Sequence, residues 1–103
     1  MDIGNVLKLV RTRKNLTQQE MADTLGISQN YLSLIESNKK KPSIDLITEF
    51  AKVLKISTEA LLFASSEIPK ELDDEDSLRY QKLQNNILTL LLFKKDGEML
   101  SGA

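Results

Sequence analysis

Residues 16–43 read Leu16-Thr17-Gln18-Gln19-Glu20-Met21-Ala22-Asp23-Thr24-Leu25-Gly26-Ile27-Ser28-Gln29-Asn30-Tyr31-Leu32-Ser33-Leu34-Ile35-Glu36-Ser37-Asn38-Lys39-Lys40-Lys41-Pro42-Ser43. The spacing of caps, glycine and apolar positions in this stretch decides the fold. Thr17 followed three residues later by Glu20 is a capping box, in which the threonine oxygen accepts a backbone N–H of the first turn and the glutamate reaches back to the N–H of the cap. The helix it opens covers Gln18–Leu25, with Met21, Ala22 and Leu25 inward. Gly26 permits the positive φ of a sharp turn, Ile27 plugs the angle between helices, and Ser28 caps a further helix that runs to Glu36. Leu32 and Ile35 of that helix face the core, which leaves Gln29, Asn30 and Ser33 on an outer face that is polar but uncharged. Pro42 lacks an N–H and restricts Lys41, so Ser37–Pro42 forms an exposed basic loop.

The same reasoning extends in both directions. Upstream, Ile3, Val6, Leu7 and Val10 recur at helical spacing up to Lys14, and Asn15 suits a helix stop. Downstream, Ser43 caps a fourth helix with Ile47, Phe50, Ala51 and Leu54 inward, and Ser57, with Glu59 in the first turn, caps a short fifth ending near Phe63. The expectation is an all-α domain of five short helices over residues 1–64. Residues 65–76, with Pro69 and the run Asp73-Asp74-Glu75-Asp76, read as an acidic linker whose last charges also suit the N-terminus of the following helix, with phosphate mimicry or cation binding as the alternative readings of the run. A sixth, amphipathic helix is expected from Ser77 to about Lys95, within a C-terminal segment, 77–103, that supplies oligomerisation or partner binding. Tyr80, Leu83, Ile87 and Leu90 fall on a 3-4-3 spacing, widened by Leu88, Leu91, Leu92 and Phe93.

Composition narrows the function. The 103 residues contain no His, Cys or Trp. There is thus no thiol nucleophile, imidazole base, disulfide or zinc site of the usual kinds, and neither an enzyme nor a cofactor or metal site is expected. The longest nearly unbroken apolar run, Ile87 to Phe93, is far short of the roughly 20 residues that span a bilayer. Met-Asp-Ile-Gly-Asn at the start has no signal-peptide character, so a cytoplasmic protein is expected. The net charge of −1 hides an asymmetry: residues 1–64 hold nine Lys/Arg against seven Asp/Glu, and residues 65–103 hold five against eight. Nucleic-acid binding must therefore come from local clusters, Arg11/Arg13/Lys14 and Lys39/Lys40/Lys41, although such clusters are most often plain solvated surface.

Residues 16–22, Gly26-Ile27-Ser28, residues 31–36 and Pro42-Ser43 together resemble the helix-turn-helix domain of the Cro/C1 type, the Xre family, and the resemblance covers roughly residues 3–64. It implies a five-helix, lambda-repressor-like domain that binds double-stranded DNA and regulates transcription. The major groove of B-DNA admits one helix, and amides and hydroxyls read base edges there, Gln or Asn pairing bidentately with adenine. The resemblance places such contacts on Gln29, Asn30 and Ser33. Leu34, beside them, either touches a thymine methyl or packs inward. Phosphate contacts, which position without reading sequence, are implied for Gln18 at the start of the second helix and for Lys39, Lys40 and Lys41. Thr17 and Ser28, the two caps, join that phosphate-facing set, as does Tyr31 unless its ring packs inward. Arg11 and Glu36 match a pair that in the family forms a partly buried salt bridge, with a phosphate contact as the other role open to Arg11. Asn38 stands where many members have Gly, and Asn tolerates the left-handed conformation better than most residues.

One helix-turn-helix module reads only a few base pairs, so pairing on an inverted-repeat operator is the usual remedy. Leu83, Ile87, Leu90 and Leu91 are the candidates for a homodimer seam, with folding back on the same chain or binding a different protein as the alternatives. The layout also resembles the bacterial biofilm and sporulation repressors, which an antagonist protein disables through their C-terminal helices. The expected function is a sequence-specific repressor acting as a homodimer. The alternatives are an antitoxin that holds a toxin, or a protein-interaction module, acting through the apolar helix.

Overall fold

The computed structural model describes residues 1–93, and among them it has six helices and no strand: α1 Ile3–Arg13, α2 Gln18–Leu25, α3 Gln29–Glu36, α4 Ile44–Leu54, α5 Thr58–Ser65 and α6 Asp74–Phe93. The chain is all-α, as expected. Four starts are capped as their sequences require. The side-chain oxygens of Thr17, Ser28, Ser43 and Ser57 accept the backbone N–H groups of Glu20, Tyr31, Leu46 and Ala60, each satisfying one donor that a helix start leaves without an intrahelical partner.

Four helices also end alike. Asn15, Gly26, Asn38 and Lys55 adopt left-handed φ of 62°, 72°, 62° and 58°. In each case the N–H of this residue and that of the next bond back into the last turn, at 2.9–3.2 Å, which is the Schellman arrangement. The residue that follows is apolar after α1, α2 and α4, where Leu16, Ile27 and Ile56 pack against the core. After α3 it is the exposed Lys39.

Val6, Leu7 and Val10 of α1 meet Met21, Ala22, Leu32, Ile35, Ile47, Phe50, Ala51, Leu54 and Leu61 in one buried cluster, which Leu91 of α6 completes. Ile3 and Leu25, expected inward, are half-buried at its margin. α1 and α3 approach closely because Gly4 has no side chain: a Cβ there would run into the Ile35 carbonyl oxygen and the Asn38 side chain. Gly4→Ala is therefore expected to lose about 1–3 kcal/mol to overpacking in spite of the better helix propensity of alanine. Chemical denaturation checks this, and a stability at or above that of the parent would count against the close approach.

Two expectations about the C-terminal segment need correction. First, α6 begins at Asp74, three residues before the expected Ser77, so Asp74, Glu75 and Asp76 form its opening turn, in line with the reading of the run as helix N-terminal charge. The Asp73 carboxylate accepts the Asp76 N–H at 2.8 Å, and negative side chains are favourable beside the free N–H groups of a helix start. Lys94 and Lys95, expected in the last turn, lie outside the described residues. Second, the expected 3-4-3 stripe is divided. Tyr80 and Ile87 are half-buried and Leu91 is buried, whereas Leu83 and Leu90 remain 51% and 45% exposed.

α6 is docked on α5 and α1 of its own chain, and a polar latch fixes its register. The Gln84 amide, 7% exposed, donates to the carbonyls of Phe63 and Ser66 at 3.1 and 2.7 Å. It thereby supplies a donor to the Ser66 carbonyl and adds one to the Phe63 carbonyl, which also accepts the Ser66 N–H and hydroxyl. The Ser66 hydroxyl is 2.7 Å from the Tyr80 hydroxyl, and the Tyr80 ring packs on Phe63 with centroids 5.1 Å apart.

Candidate nucleic-acid interface

The centre of the site is a buried polar knot that holds α3 against α1 and α2. Arg11 is 5% and Glu36 3% exposed. Arg11 donates from Nε to Glu36 Oε2 at 2.6 Å and from Nη2 to Oε1 at 2.8 Å, a bidentate pairing of guanidinium and carboxylate. Its Nη1 donates to the Leu16 carbonyl in the loop between α1 and α2 at 2.6 Å. Gln18 Nε2, at the start of α2, donates to Glu36 Oε1 at 3.0 Å. One carboxylate on α3 thus gathers α1 and α2, and Arg11 ties in the loop between them. Among the described residues no buried side-chain nitrogen or oxygen lacks a partner. Arg11 is therefore buried in an ion pair and does not contribute to an exposed Arg11/Arg13/Lys14 cluster, and Arg13 stacks over Phe93, 4.5 Å from the ring centroid, and donates to the Leu92 carbonyl.

With Glu36, Leu32 and Ile35 turned inward, the opposite arc of α3 faces out. Gln29 and Asn30 are exposed and Ser33 is half-buried, and helical spacing puts all three on one side. Leu34 is half-buried beside them and does not belong to the core cluster. Tyr31 is half-buried with its ring packed against the core. Thr17 and Ser28 use their side-chain oxygens as caps, at helix starts whose first-turn N–H groups favour an anion. Lys39, Lys40 and Lys41 are exposed directly after α3.

The Glu20 carboxylate accepts the Thr17 N–H at 2.9 Å, and this backbone bond, with the Thr17 side chain second, holds its pKa below the ordinary 4.5. Glu59 is lowered in the same direction by its own backbone N–H and then by the Ser57 hydroxyl. A lowered folded-state value means the capping contribution is complete above the ordinary glutamate range and is lost as pH falls through the lowered value. Glu20→Gln keeps a capping side chain but cannot titrate. Its thermal stability is expected to fall less steeply than that of the parent as pH drops below 4.5, and identical profiles would remove Glu20 as a contributor.

Three features of the site were missed by reading the residues in order. Asn38 donates from Nδ2 to Asn5 Oδ1 and accepts the Gly4 N–H, both at 3.1 Å. Gly4 makes room for it, and Gln84 latches α6. Only Asn38 carried any signal, as the residue standing in a glycine position. Among the described residues there is no cluster of three or more His, Cys, Asp or Glu able to hold a metal, and no helix is long and apolar enough to cross a membrane.

A capped helix, a glycine turn and a second helix with a polar outer face, followed by a basic loop, define a helix-turn-helix DNA-binding domain. The helix-turn-helix family matches residues 7–61, more than half of the chain, and the protein belongs to it, in its Cro/C1-type branch. Relatives extend beyond that domain. The HTH-type transcriptional regulator ImmR of Bacillus subtilis is 32% identical over 95% of this chain and 79% of its own length. SinR of the same organism is 32% identical over 90% of this chain and 83% of its own. The immunity repressor protein of Bacillus phage phi105 is 27% identical over 99% and 72%. Against two further relatives the chain spans 41% of their length. No solved structure matches the chain. The family is one of DNA-binding transcription regulators and not of enzymes.

Proposed function

We propose that the protein is a transcriptional repressor that binds an inverted-repeat operator in duplex DNA as a homodimer. The observation that carries this reading is the outer arc of α3. Gln29, Asn30, Ser33 and Leu34 face outward on a helix whose far side is clamped by the Arg11–Glu36–Gln18 knot. Rigid support of this kind lets short side chains meet base edges in register. Gln29 and Asn30 are assigned to adenine edges, Ser33 to a neighbouring base and Leu34 to a thymine methyl. Lys39, Lys40 and Lys41 meet the phosphates, together with the first-turn N–H groups of α2 and α3 beside Thr17, Gln18, Ser28 and Tyr31. That relatives include an immunity repressor supports the sign of the regulation.

The dimer seam follows from which face of α6 remains open. Leu91 is spent on the core of its own chain and Ile87 half so, while Leu83 and Leu90 lie a heptad apart on an exposed stripe. We assign the seam to Leu83 and Leu90, and a protein antagonist or a toxin would compete for the same stripe.

Selection of bound duplexes from a random pool at moderate salt tests the whole reading. An enriched inverted repeat is the expected result; a lone half-site would remove the dimer, and no enrichment would remove sequence reading. On the selected site Gln29→Ala is expected to cost about 1–3 kcal/mol and to relax preference at one position, whereas Lys40→Ala weakens binding to all sequences. Equal losses on selected and random duplexes for Gln29→Ala would count against base reading.

A further inference from the structure

We infer that Asn38 is a positioning residue that sets the direction of the basic loop Lys39–Lys41 by tying its root to the start of α1. The inference rests on the phosphate-contacting role given to those lysines above. Four helices end in a left-handed residue, and three of the four ends are then locked by a half-buried apolar residue packed against the core: Leu16, Ile27 and Ile56. The fourth cannot be locked that way, because the residue after Asn38 is Lys39, and burying it would withdraw the charge the loop exists to present. The Asn38 side chain takes over the task. Its Oδ1 accepts the Gly4 N–H and its Nδ2 donates to Asn5 Oδ1, 34 and 33 residues away in sequence.

Both ends of this tether are prepared for it. α1 is the one helix among α1–α5 whose preceding residue, Asp2, makes no side-chain cap bond, so the Gly4 N–H needs an acceptor from elsewhere. The bare Cα of Gly4 leaves the space in which the Asn38 carboxamide sits. On the loop side, the N–H groups of Lys39 and Lys40 both bond to the Leu34 carbonyl, at 2.9 and 3.1 Å. The backbone of the loop therefore leaves α3 in a single direction, and Asn38 anchors that direction to α1. A glycine at this position would adopt the same φ at lower cost but would have no side chain to bond with.

Asn38→Gly separates the two roles, since it keeps the left-handed turn and removes the tether. The probe is a labelled 30-bp duplex of random sequence, titrated over a range of salt concentrations, because phosphate contacts are independent of sequence and are counted by the salt slope. With the far-ultraviolet helical signal unchanged, the variant is expected to bind about tenfold more weakly at low salt and to flatten the slope of log K against log salt by about one unit, the loss of roughly one phosphate contact. Asn5→Ala, which removes one end of the tether and leaves the turn untouched, is expected to act in the same direction and less strongly. In a chain already carrying Lys39→Ala, Lys40→Ala and Lys41→Ala, Asn38→Gly is expected to change neither affinity nor slope. Parent-like affinity and slope for Asn38→Gly, or an undiminished effect in the lysine-free background, would overturn the inference and leave DNA binding standing. Failure of the parent chain to bind the duplex at all would overturn both.

Discussion

Replacing Arg11 by Met is expected to lower the stability of the fold by about 3–5 kcal/mol, because it leaves the Glu36 carboxylate buried without its counter-charge. Glu36 is 3% exposed and takes two of its hydrogen bonds from Arg11, and Gln18 alone cannot neutralise it. The loss is expected to arise from the stranded charge and not from the missing pair as such. Arg11→Met combined with Glu36→Met should therefore recover most of the stability, since paired apolar side chains of similar volume are often neutral or better in such a place. Urea unfolding of the two single variants and the double variant checks this. Near-additive losses in the double would show that the knot stabilises the fold through more than mutual neutralisation. DNA binding is expected to behave differently. The double variant loses the bonds to the Leu16 carbonyl and to Gln18, so α3 is no longer tied to the start of α2. Affinity for the selected duplex should remain below that of the parent even where stability returns.

The second large effect separates two neighbouring leucines on α6. Leu91→Ala is expected to cost about 2–5 kcal/mol, the usual range for emptying a packed core position, because Leu91 is 6% exposed within the cluster that α1 and α5 share. Leu90→Ala, one residue away and 45% exposed, is expected to leave the stability of the monomer within about 0.5 kcal/mol of the parent. It should instead shift the monomer–dimer equilibrium toward monomer, more so together with Leu83→Ala. Denaturant unfolding at low concentration and sedimentation equilibrium read the two effects separately. An undiminished dimer in Leu83→Ala/Leu90→Ala would move the seam to another surface, and a parent-like stability for Leu91→Ala would mean that α6 does not belong to the folded core.

Much of this domain was legible in the amino-acid order because its signals are local. The caps at Thr17, Ser28, Ser43 and Ser57 and the turn at Gly26 act over three or four residues. Periodicity alone put Leu32 and Ile35 inward and Gln29, Asn30 and Ser33 on the other side. The inward placement of Arg11 and Glu36 came from resemblance and not from periodicity, which treats both as surface residues. The start of α6 is less legible, because a run of carboxylates suits both a solvated linker and a helix N-terminus, and the Asp73 bond that distinguishes them is visible only in three dimensions.

Caps, glycine and periodicity are properties of neighbouring residues, and they suffice for five helices, the turn between the second and third, and the polar outer face of α3. The tertiary structure alone decided which side of α6 is spent on its own domain, why Gly4 must lack a side chain, and how Asn38 and Gln84 are used. Gly4, Asn38 and Gln84 each depend on a polar or empty position meeting a backbone group more than fifteen residues distant. Such a meeting has no periodic signature, because the energy of a buried polar group is set by the partner that folding brings to it.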